Sequence, residues 1–268
     1  MALTMPWLLG LLALLAYAAA AWPVKVSSRW PDVALAIGWL AHGAALWLDV
    51  IGHGSAIAGA RFGFAPALSA TVWIVIAVHA IESRMLPLPA VRLLLAVTAS
   101  MAVLLAALYP GESRPAAAAS GPAWLPLHWL LGVVSYGLFA VAVLHAGLLD
   151  GAERRLRGAP GQVSRAGALP LMQLERLTFR FVEVGFVVLS TALVLGAVLA
   201  ERWRWDHKTV LSLLGWATYA VLIGGRHLRG WRGRQATRWV YAGALLLLLA
   251  YAGARFVLEV VLQREAGQ

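Results

Sequence analysis

Apolar residues in this chain come in long unbroken runs, separated by short polar stretches. Eight runs approach or reach the roughly 20 residues that a helix needs to cross the hydrocarbon core of a bilayer. They extend from Met5 to Trp22, Val33 to Val50, Ala65 to Ile81, Ala90 to Tyr109, Leu127 to Leu149, Phe181 to Ala200, Thr209 to Gly224 and Ala236 to Leu258. The seventh is short and leans on interfacial residues at its ends. Charges fall at the run boundaries, as expected if each Arg or Asp at mid-bilayer costs about 2.5 to 3.5 kcal/mol. The run lengths, without ten-residue alternation, exclude transmembrane β-strands. The pattern predicts an all-α, polytopic transmembrane helix bundle of about eight spans, forming one integral membrane domain over residues 1–268.

Composition strengthens this reading. Of the 268 residues 61% are hydrophobic and 13% charged, against about 25% charged in a soluble domain, so polar side chains are too few to cover a water-soluble core. The chain has no cysteine, which removes disulfides, thiolate nucleophiles, iron–sulfur ligation and Cys-based zinc sites. No Gly-rich phosphate loop or nucleophile motif is found, so the chain is not expected to be an enzyme. A formal charge of +10 would suggest nucleic acid in a soluble protein; in this chain the basic residues lie in loops, where they set orientation. Fifteen of the 22 Lys and Arg fall in the first, third, fifth and seventh loops. That places both termini outside the cytoplasm. The first run has the small residues Ala18, Ala19 and Ala20 but no Lys or Arg before it, and reads as a retained helix rather than a signal peptide.

Two loops stand out. Residues 151–180 form a basic cytoplasmic loop whose second half spaces Leu169, Met172, Leu174 and Leu177 against Gln173, Glu175 and Arg176, as in an amphipathic segment on the inner leaflet. Pro110 to Pro126, with Pro115, Pro122 and a run of four alanines at 116–119, is expected to be irregular.

Polar groups enter the spans at few places. His42, Asp49 and His53 share one stripe of the second helix, with Trp39 one turn earlier; the stripe must face protein or water. It suits either a ligand or proton path, or an interhelical hydrogen bond with an ordinary outer-end Asp. His79, His145 and His227 are read as interface residues near basic loops. On the outer side, His128 and Trp129 open the fifth span, with Ser135 and Tyr136 two turns further in, while Arg202-Trp203-Arg204-Trp205-Asp206-His207-Lys208 precedes the seventh. Indole rings, imidazoles and cations at one face suit a flat, apolar, dianionic ligand such as haem: rings stack, an imidazole ligates iron, and Arg or Lys pairs with propionates. The ordinary alternative is an interfacial belt of Trp and Arg, with Asp206 as an N-cap.

At these residues the chain resembles the membrane cytochrome c assembly superfamily of CcsA-, ResC- and CcmC-like haem-handling proteins, and within it the smaller eight-helix YpjD- or HemX-like branch. The resemblance rests on His128 with Ser135-Tyr136, on Trp203-x-Trp205-Asp206-x-Lys208 followed by Trp216 and Arg226, and on the closing stretch of Trp231-Arg-Gly-Arg234, Arg238-Trp239 and Leu248 to Glu259, LLAYAGARFVLE. The chain departs from the larger members at His207, where they have proline, and at Thr209, where they have glutamate. It also has Gly224 and no histidine near Leu262, where they carry two further histidines.

The resemblance implies a bacterial cytoplasmic-membrane protein that binds or passes haem b without covalent attachment, as an accessory of haem delivery or c-type cytochrome maturation. His128 is the best candidate iron ligand, His207 the second and His42 the reserve. Trp203 and Trp205 would stack on the ring beside Asp206, with Arg202, Arg204, Lys208 or Arg255 near the propionates. Expected partners are haem, cytochrome c maturation or haem-synthesis proteins and the bilayer, not nucleic acid. The alternatives are a regulatory or scaffold protein of haem metabolism without ligation, and a small-solute or proton transporter using His42 and Asp49.

Overall fold

Each apolar run forms a helix, because a backbone in hydrocarbon must satisfy its own N–H and C=O groups. The computed structural model describes residues 5–22, 29–50, 59–82, 89–115, 124–158, 171–200, 205–253 and 256. The helices are α1 (Met5–Ala21), α2 (Trp30–Val50), α3 (Phe64–Glu82), α4 (Pro89–Leu108), α5 (Leu125–Gly158), α6 (Leu171–Leu199), α7 (His207–Arg229) and α8 (Gly233–Leu248), with a π-helical turn at Leu249–Gly253. Among the described residues seven helices are long and apolar enough to cross a membrane, and α1 is a shorter apolar one. This is a multi-pass, helical membrane protein.

The helices gather into two compact units, residues 1–126 with 252–268, and residues 127–251. In the first, α1 packs on α2 and α4, and α3 packs on the same two helices. Between membrane helices there is no hydrophobic driving force, so close approach through small residues takes its place. The buried faces accordingly carry Ala13 and Ala20 on α1, Ala34 and Ala41 on α2, and Ala96, Ala99 and Ala102 on α4. Leu93, Leu94, Val97, Met101, Leu104 and Leu108 of α4 point outward as a lipid-facing stripe. Helix hydroxyls in the spans, such as those of Thr71, Ser100, Thr178 and Ser190, donate to the carbonyl four residues back, which satisfies them without a distant partner.

A short antiparallel ribbon joins β1 (Gly59–Phe62) to β2 (Glu112–Pro115), with Gly59 opposite Pro115 and Phe62 opposite Glu112. Pro110 to Pro126 is therefore not irregular throughout. Backbone groups beyond the helix ends pair with one another, and Pro115, which cannot donate, sits at the ribbon's end where the loss is tolerated. Residues 116–123 lie outside the described residues.

In the second unit Phe139 of α5 stacks on Tyr219 of α7 at 3.9 Å, and Trp216 of α7 donates to the Ser190 hydroxyl of α6 at 2.8 Å. The expected loop at 151–180 is much narrower: α5 runs on to Gly158 and α6 already begins at Leu171. Leu174 and Phe179 are buried in the unit, and Glu175 accepts from Arg226 at 3.3 Å. The amphipathic pattern thus falls in the first turns of α6, where Leu174 is buried and Met172 is 74% exposed; Leu169 lies outside the described residues. Helix α7 has an Asp206 N-cap, whose carboxylate accepts from the Thr209 N–H at 2.8 Å, and a left-handed C-cap at Gly230 (φ 66°). Asp206→Ala should destabilise the protein by about 1 kcal/mol, read as a lowered Tm in detergent.

Candidate functional site

Helix α5 starts at Leu125, with Pro126 in its first turn where the missing N–H costs nothing. That start places His128 one turn in, half-buried against α6. Its Nδ1 lies 2.9 Å from the Ala192 carbonyl oxygen. A carbonyl only accepts, so Nδ1 carries the proton and Nε2 keeps a lone pair. Among the described residues Nε2 has no hydrogen-bond partner.

The ring reaches Ala192 because Gly196 leaves room. A Cβ at Gly196 would lie 2.8 Å from the His128 Cε1 and 3.3 Å from Nδ1, closer than real side chains pack. Gly196→Ala should therefore push the imidazole off its seat and weaken the bond to Ala192.

Three more side chains gather at this end of the unit. Lys208 stands in the first turn of α7. Its ammonium sits 5.7 Å from the centre of the Tyr251 ring, in the π-helical turn. Tyr251 in turn is 6.4 Å from Tyr136, whose hydroxyl donates to the Leu247 carbonyl at 2.9 Å. The arrangement offers one neutral imidazole lone pair to a metal centre, with a cation and two aromatic rings close by. Among the described residues no group of three His, Asp or Glu forms a metal-ion cage, so any metal here would have to bring most of its own ligands.

Other predicted residues fall as follows. Trp205 is 72% exposed, and His207, the first residue of α7, is exposed as well. Asp206 caps α7. Trp203, Arg202, Arg204, Arg255 and His53 lie outside the described residues. His42 is 2% exposed, and both its nitrogens are engaged: Nδ1 with the Tyr17 hydroxyl at 3.2 Å and Nε2 with the Ser69 hydroxyl at 2.7 Å. Ligation by His42 would require one of these bonds to break. His145 is buried, hydrogen-bonded to Val141 of its own helix, and His227 is 3.4 Å from Glu183. Gly196 and Tyr251 were not among the expected site residues: a glycine inside an apolar run was the only signal for the first, and the second stood within the LLAYAGARFVLE stretch without being singled out.

A sequence model of one protein family, described as "Cytochrome C assembly protein", matches residues 63–262. The chain is 32% identical over 138 residues to the inner membrane protein YpjD of Escherichia coli (strain K12), covering 50% of this chain and 52% of that one. It is 28% identical over 181 residues to the cytochrome c biogenesis protein CcsA of Synechococcus sp. (strain WH7803), covering 54% and 57%. With CcsA of Prochlorococcus marinus (strain MIT 9515) the identity is 33% over 90 residues, covering 32% and 29%. The chain thus spans about half the length of the first two relatives and less of the third. No solved structure matches it.

Proposed function

Because the chain belongs to the cytochrome c assembly protein family, we propose that it is a haem-handling protein of the bacterial inner membrane that takes part in c-type cytochrome assembly. It holds haem b non-covalently at the His128 end, at the extracytoplasmic face. The single observation that carries this reading is the tautomer of His128, fixed by Ala192 so that Nε2 presents its lone pair. The donor set fits the group: haem has two propionates and an iron that takes one or two side-chain ligands, which His128 and the nearby cations would supply.

His128 ligates and orients. Lys208 would pair with a propionate, and Arg202 and Arg204, just before it in the sequence, are the further candidates. The exposed Trp205, with Trp203, covers the ring. His207 is the candidate for a second, weaker hold on the iron. Since the chain has no thiol, thioether formation belongs to a partner that carries its own Cys-x-x-Cys-His. One imidazole at an exposed rim holds haem loosely enough for release.

The test is an absorption spectrum of the detergent-purified protein after expression with ample haem. A Soret band that titrates with added haem supports the proposal. Its absence favours a regulatory or scaffold protein of haem metabolism, a reading supported by Gly224, which stands where larger relatives carry a buried histidine and where an added Cβ would meet open space. Gly196→Ala should lower haem affinity by about 10- to 100-fold, the usual cost of disturbing a group that orients a metal ligand, measured by haem titration.

A further inference from the structure

The turn from α7 to α8 concentrates positive charge in a way that helix orientation alone does not require. Arg226, Arg229, Arg232, Arg234 and Arg238 fall within thirteen residues. Among the described residues one carboxylate pairs with them, and a second lies near the start of α8. Glu175 accepts from Arg226 at 3.3 Å and lies 4.0 Å from the Arg232 Nε; Glu153 approaches Gly233 at the start of α8. Among the described residues Arg229, Arg234 and Arg238 have no ion-pair partner, and all three are exposed. Arg234 and Arg238 are also four residues apart on one face of α8, a like-charge spacing that destabilises a helix unless an anion lies between them.

The apolar surroundings point to the source of that anion. Trp231 and Trp239 stack at 5.5 Å beside the arginines, and Trp231 packs against Gly225 so closely that a Cβ there would lie 2.4 Å from its ring. Leu228, next to Arg229, is 87% exposed. A fixed indole pair and an outward leucine are the surroundings of a membrane interface, where rings sit at headgroup depth and aliphatic side chains meet acyl chains. A water-borne anion would have no use for them.

We propose that this turn is a binding site for the phosphate headgroup of an anionic phospholipid, held by Arg229, Arg234 and Arg238 against the Trp231–Trp239 pair. Each arginine near an anionic lipid surface is worth about 1 kcal/mol, or about fivefold in affinity. The site is independent of haem.

The test uses the whole protein in non-ionic detergent, with Tm followed as phosphatidylglycerol is added. Phosphatidylglycerol should raise Tm, and phosphatidylcholine or inorganic phosphate should not. The triple variant Arg229→Gln, Arg234→Gln, Arg238→Gln should need about 100-fold more phosphatidylglycerol for the same rise. Should that variant not fold, the pair Arg234→Gln and Arg238→Gln should show a loss of about 25-fold. An equal rise with phosphatidylcholine or with inorganic phosphate, or an undiminished response in the variants, overturns the proposal.

Discussion

Replacing His128 by Ala is expected to abolish the Soret band of the haem-loaded protein and to lower haem affinity by more than about 100-fold, beyond the loss from disturbing an orienting group alone. The reasoning is geometric. The Ala192 carbonyl holds the proton on Nδ1 at 2.9 Å, leaving Nε2 with its lone pair at this end of the unit formed by α5 to α8. The variant should still fold, because His128 is only half-buried and its loss vacates little core; a Tm change equivalent to about 1 kcal/mol or less is expected. Unchanged haem content in a folded His128→Ala protein would move the site elsewhere.

The second large effect concerns His42, and it is one of stability. Its ring joins three helices, α1 through Tyr17, α2 through itself and α3 through Ser69, and all three side chains are at most 2% exposed. His42→Ala strands two hydroxyls in hydrocarbon and leaves a cavity. Each unpaired buried group costs about 1 to 3 kcal/mol, though membrane hydrogen bonds measured singly average near 0.6, so a loss of about 2 to 4 kcal/mol is expected. Tyr17→Phe and Ser69→Ala should cost about 1 kcal/mol each. Combined with His42→Ala, either should add almost nothing, since the partner is already gone. Chemical denaturation in mixed micelles reads all of these. Fully additive losses would show that the three side chains do not act as a chain.

What the sequence disclosed follows from the range over which each signal acts. Helix positions were legible because burying a backbone in lipid demands uninterrupted apolar runs, and the eight runs match α1 to α8. Helix ends past those runs were not: α5 runs on to Gly158 and α6 begins at Leu171, and at the start of α6 the burial of Leu174 and the pairing of Arg226 with Glu175 are contacts that hydropathy does not register. The division into two units was also hidden, since no linker composition separates Pro126 from Leu127.

The site shows the same division. His128 and Lys208 stood out as polar residues at span ends, while the seat at Gly196 depends on which face of α6 meets α5, a tertiary fact. His42 looked equally promising in sequence. Only the placement of Tyr17 and Ser69, 25 residues before it and 27 after it, distinguishes a tied imidazole from one with a nitrogen to spare.

The most direct measurement is imidazole rescue of His128→Gly, followed by absorption spectroscopy of the purified protein with one equivalent of haem. A Soret band absent in the variant and restored by millimolar imidazole, at the wild-type position, is the predicted result. A variant that keeps the wild-type spectrum without imidazole would contradict ligation by His128.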